Sequence, residues 1–85
     1  MKFPFSNHAL EEIERRGVGR DNVDRVLDAP DQIVEERFGR RAYPSSVNFP
    51  DGEYLVRVLI DPVDDPPVVL TVYRTSRIAK YWRVK

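Results

Sequence analysis

An 85-residue chain of 9.9 kDa has room for one domain, and 41% apolar with 33% charged residues is the composition of a globule rather than of a disordered chain. The absence of cysteine excludes disulfides, thiolate-held zinc, iron–sulfur centres and a cysteine nucleophile, and points to a reducing cytoplasm. Formal net charge is zero, which removes a bulk pull toward polyanions, but the charges are segregated: residues 67–85 hold Arg74, Arg77, Lys80, Arg83 and Lys85 with no acid.

Along the chain, Ser6 is a good N-cap, and Ala9, Leu10 and Ile13 follow at helical spacing until Arg15-Arg16-Gly17 supplies cations and a terminating glycine. A second short helix starts at Gly19, with Val18 and Val23 at the positions of a hydrophobic staple, and Pro30 stops it. Neither helix is long enough to stand alone, so both need a flat surface to pack on. Strands supply it. Residues 32–38 and 41–49 read as a hairpin turning at Gly39-Arg40, and Pro44, which lacks an N–H, places the second run near an edge or a bulge. After the Pro50-Asp51-Gly52 turn, residues 53–61 alternate, with Tyr54, Val56, Val58 and Ile60 on one face and Leu55, Arg57 and Leu59 on the other. Residues 68–75 form the last strand, with Val68, Leu70, Val72 and Arg74 opposite Val69, Thr71, Tyr73 and Thr75. Residues 76–85 are a basic tail, too polar for a core strand. The fold class is therefore α+β: two N-terminal helices on one face of a four-stranded, mainly antiparallel sheet whose other face is uncovered.

The uncovered face presents Arg57 among apolar and aromatic neighbours, where its planar fork suits phosphate or carboxylate and Tyr73 offers a stacking surface. The plainer alternative pairs Arg57 with Glu53 or Asp61. In the tail, Arg77, Lys80, Tyr81, Trp82 and Arg83 mix cations with rings, the combination that holds single-stranded nucleic acid, although the rings also suit covering the end of the sheet. His8 is the lone histidine, expected to be exposed at a helix N-terminus, where the dipole favours the neutral form that a general base needs. Asp61, Asp64 and Asp65 lack calcium-loop spacing and one histidine makes no zinc pair, so neither metal nor cofactor is expected. Residues 1–8 carry no signal-like apolar run, and no stretch approaches the roughly 20 apolar residues of a membrane span.

Taken together, Ser6-Asn7-His8-Ala9, Glu14-Arg15-Arg16-Gly17-Val18, Val23-x-x-Val26-Leu27-x-x-Pro30, Gly39-Arg40-Arg41-Ala42-Tyr43, Thr71-Val72-Tyr73-Arg74 and Lys80-Tyr81 resemble the bacterial domain of unknown function 4258, over about residues 5–81. That family is similar in fold to the RelE/ParE toxin superfamily. The resemblance implies one RelE-like domain over residues 1–85 that cleaves or binds RNA without metal, with the ribosome as a further partner and an antitoxin encoded beside it. Arg57 and Arg74 would then stabilise charge, His8, Lys80 or Tyr81 would move protons, and Tyr73, Arg77, Trp82 and Arg83 would bind substrate. Active relatives tend to be basic, and this chain is neutral. A different class of function is a non-catalytic module that captures a peptide or a second copy of the chain through the open face or a strand edge. The nuclease reading requires the helix-free face and the last dozen residues to form one positively charged hollow wide enough for a nucleotide.

Overall fold

A computed structural model describes residues 3–62 and 66–82. Its order is α1 (Asn7–Arg15), α2 (Arg20–Asp28), β1 (Val34–Glu35), β2 (Arg41–Phe49), β3 (Gly52–Asp61), β4 (Val68–Thr75) and α3 (Ile78–Tyr81). The strands form an antiparallel meander in sequence order, with α1 packed on β4 and α2 on β2 and β3. No helix among the described residues is long and apolar enough to cross a membrane.

The ends of α1 follow from the sequence. The Ser6 hydroxyl accepts from the Ala9 N–H at 3.0 Å and donates to the Leu70 carbonyl at 2.9 Å, so one side chain caps the helix and ties it to β4. At the other end the Val18 N–H reaches the Ile13 carbonyl and the Gly17 N–H reaches that of Glu14, a Schellman closure that turns on Gly17 at φ 63°. A methyl group at Gly17 would meet nothing closer than 3.9 Å, so Gly17→Ala should carry only the backbone strain. We expect a loss of about 1 kcal/mol, seen as a melting temperature about 4–8 °C lower.

On α1, Glu12 accepts from Arg15 Nε at 2.5 Å and Nη2 at 2.8 Å, and from Arg16 Nε at 3.0 Å. The hydrogen bonds from Arg15 and then Arg16 hold its carboxyl down from 4.5 to about 2, against the opposing effect of desolvation. A carboxyl depressed by folding stabilises the fold fully above its unfolded value and loses that contribution as protons bind the native state. Thermal stability should therefore fall as pH drops from 4.5 toward about 2, and Glu12→Gln should flatten the melting curve across that window. An unchanged profile in the variant would assign the acid sensitivity elsewhere.

The core lies between the helices and one face of the sheet, where Ala9, Ile13, Val18, Val23 and Val26 meet Val47, Val56, Val58, Ile60, Val69 and Val72. Val69 corrects the sequence expectation, which put it on the open face. The register shifts between Leu59 and Ile60, whose partners on β4 are Thr71 and Val69, so the bulge at Leu70 turns Val69 into the core. The opposite face is also not bare: Leu55 and Ala42 are fully buried there and Arg57 is 6% exposed.

The first strand is shorter than expected. After Glu35 the chain enters a 3-10 turn, Arg37–Gly39, with Phe38 at φ 62° and Gly39 at φ 72°, and two successive left-handed residues end extended pairing. Upstream, the Asp31 N–H donates to Ser45 Oγ and the Ser46 N–H to Asp31 Oδ2, while the Gln32 N–H reaches the Pro44 carbonyl. Pro44 thus sits where β1 does not reach: on that side β2 is held by the Asp31 and Ser45 side-chain bonds and the one backbone bond from Gln32, while its other side pairs with β3.

Candidate functional site

On the face away from α1 and α2, β3 presents Arg57 directly opposite Tyr73 of β4. One guanidinium nitrogen donates to the Tyr73 hydroxyl oxygen, and the other donates to Glu36 Oε1 at 3.1 Å, from the link between β1 and β2. After β4 the chain folds back through α3 and lays Tyr81 over the same group, with the Arg57 Cζ 4.9 Å from its ring centroid and the Tyr73 and Tyr81 rings edge to face at 6.2 Å. Desolvation by burial lowers the affinity of Arg57 for its proton, but the Tyr73 hydroxyl and the Glu36 carboxylate more than offset it, so the pKa lies above the ordinary guanidinium value. Arg57 is a fixed cation. Its Nε is buried with no hydrogen-bond partner.

Beside this cluster opens a hollow of about 660 Å³, lined by Glu35, Glu36, Arg37, Phe38, Arg40 and Leu59. Glu36 belongs to both, with its side chain 26% exposed. Arg41 holds Glu35 at 2.9 Å, whereas Arg37 and Arg40 have no acidic partner among the described residues. Charge at the mouth is therefore positive even though the Arg57–Glu36 pair is close to neutral.

The sequence-derived candidates divide. Arg57, Tyr73 and Tyr81 come together, with Lys80 Nζ 5.3 Å from the Tyr81 ring centroid and Arg16 reaching within 5.9 Å of the Tyr73 ring. Arg77 is exposed at the N-cap of α3, and Trp82 is half-buried at its C-cap. His8 is exposed in the first turn of α1, in the helix layer. Arg83 lies outside the described residues, as do Asp64 and Asp65. Arg74 is on the opposite face, with its guanidinium 4.4 Å from the Phe49 ring centroid and 4.5 Å from that of Tyr54. The expected single basic hollow is therefore not what forms: Arg57 and Arg74 are separated by the sheet, and Arg57 is held by an acid. Among the described residues no three His, Cys, Asp or Glu side chains are grouped to hold a metal ion.

Sequence reasoning missed Glu36 and the 3-10 turn. Glu36 reaches Arg57 across 21 positions of sequence, for which periodicity gives no signal. The turn did carry one: Arg37-Phe38-Gly39-Arg40-Arg41 places a ring among cations before a glycine, the pattern noticed only in the tail.

A family model described as Domain of unknown function (DUF4258) matches residues 5–74, which is most of the chain. No curated protein and no solved structure matches it.

Proposed function

The chain belongs to the DUF4258 family, and from that premise we propose that it is an RNA-binding relative of the RelE/ParE toxins that takes single-stranded RNA without metal on the face away from α1 and α2. The observation that carries this reading is the open hollow of about 660 Å³ beside the Arg57 cluster, where Arg37 and Arg40 have no acidic partner among the described residues and leave the mouth positive. Cleavage has no such support, because the single basic hollow it requires does not form and Arg57, its side chain 7% exposed, is held by Glu36 and Tyr73. Arg74 and His8 have no part in this binding face.

Of the edges that the β-pairing alternative would use, β1 is two residues long, and on β4 the Val69 backbone already bonds Pro4 and Ser6.

The test is a filter-binding titration of purified protein against end-labelled single-stranded RNA in chelator. RNA should be retained at low salt and released steeply as salt rises, since phosphate contacts release counterions. No retention at low salt would reject the reading.

A further inference from the structure

Phe38 is the most exposed large apolar residue described, at 88%. Its backbone lies in the left-handed region at φ 62° and ψ 31°, which a bulky residue adopts only against strain. A ring that buries nothing returns no stability for that strain, and glycine or asparagine would make the same turn more easily. What the turn does achieve is placement. It holds the Phe38 ring on the wall of the hollow, between Arg37 and Arg40, whose guanidinium groups have no acidic partner among the described residues. Through Glu36 that wall is continuous with the Arg57 cluster. An exposed aromatic face flanked by unpaired cations fits an unstacked base whose neighbouring phosphates carry negative charge. The positive rim disfavours an acid-poor protein surface as the occupant.

We propose that the turn at residues 37–40 is a base-stacking subsite for single-stranded RNA, with Phe38 against one base and Arg37 and Arg40 on the adjoining phosphates. The proposal rests on the RNA reading above and adds to it where the strand is gripped.

Fluorescence anisotropy with a fluorescein-labelled ten-nucleotide oligouridylate tests both separately, using the full chain and the variants Phe38→Ala, Phe38→Gly, Phe38→Trp and Arg37→Gln/Arg40→Gln. Phe38→Ala and Phe38→Gly should each weaken binding roughly 10-fold with the salt dependence unchanged, and Phe38→Trp should keep it. The double arginine variant should lower the slope of log affinity against log salt by about 1.4, or 0.7 for each lost phosphate contact. Thermal melts supply a control independent of RNA, since Phe38→Gly should melt at the same temperature as the parent or higher. RNA bound equally well by the parent and Phe38→Ala overturns the subsite and leaves the RNA reading standing, whereas no binding by the parent at low salt rejects both. Light scattering that shows a parent dimer split by Phe38→Ala would assign the ring to a contact between two copies and overturn the subsite as well.

Discussion

Arg57→Ala is expected to destabilise the domain by about 3 kcal/mol, a fall in melting temperature of about 12–24 °C for a chain of this size. Three losses combine. The substitution empties space under the Tyr81 ring, removes donors from the Tyr73 oxygen and the Glu36 carboxylate, and breaks the ion pair with that carboxylate. We place the loss at the lower end of what breaking a buried ion pair costs, because the Glu36 side chain keeps 26% exposure and can turn toward water. Glu36→Ala acts differently, since it strands a guanidinium whose side chain is only 7% exposed. Desolvation therefore falls on the group less able to escape, and the loss should be about 2 kcal/mol despite the smaller side chain. In the Arg57→Ala background no guanidinium remains to be stranded, and Glu36→Ala should then be nearly neutral. A double-mutant cycle by urea denaturation should thus return a coupling of about 1–2 kcal/mol. Additive effects within about 0.3 kcal/mol would mean that the two side chains do not stabilise one another.

Local structure was legible where one side chain or one period decides it. The α1 boundaries follow from the Ser6 hydroxyl and from Gly17, and the two faces of β3 follow from alternation. Legibility failed at Val68-Val69-Leu70, because a bulge inside an unbroken apolar run changes which residue turns inward without changing any letter that marks a face. It failed for the partner of Arg57 for a geometric reason. Glu53 and Asp61 stand four positions away on the same strand, about 13 Å along it, beyond the reach of a direct pair. Glu53 bonds Ser46 Oγ instead. The acid that does arrive comes through a turn whose path depends on two left-handed residues. For Arg74 the letters were sufficient, since the period of two puts it with Val72 and away from Arg57. Grouping it with Arg57 followed its charge and passed over its face.

That face makes Arg74 a stability residue, and Arg74→Ala is expected to lower stability by about 2 kcal/mol while leaving RNA affinity within about 2-fold of the parent. Its guanidinium lies over both Phe49 and Tyr54, at about 0.5–1 kcal/mol for each cation–π contact with partial desolvation. It also faces Asp51 at 3.6 Å, but Asp51 is 60% exposed, so this pair adds little. The larger effect of Asp51 is on Tyr54: it accepts the phenol hydrogen at 2.8 Å and holds the Tyr54 pKa above its ordinary value, with Arg74 pulling the other way. Arg74 therefore joins the β2–β3 turn to β4, and a methyl group at Gly17 would come within 3.9 Å of its Nη2, which places the cation near the carbonyl end of α1, where the helix dipole favours it. Arg74→Lys keeps the charge without the flat surface that stacks on two rings and should recover no more than half of the loss. Melting temperatures of both variants, measured beside RNA anisotropy well below those temperatures, separate stability from binding. A 10-fold loss of RNA affinity in folded Arg74→Ala would put the nucleic acid on the side of α1 and α2 or around the β4 edge, and the Arg57 face would lose its claim as the site.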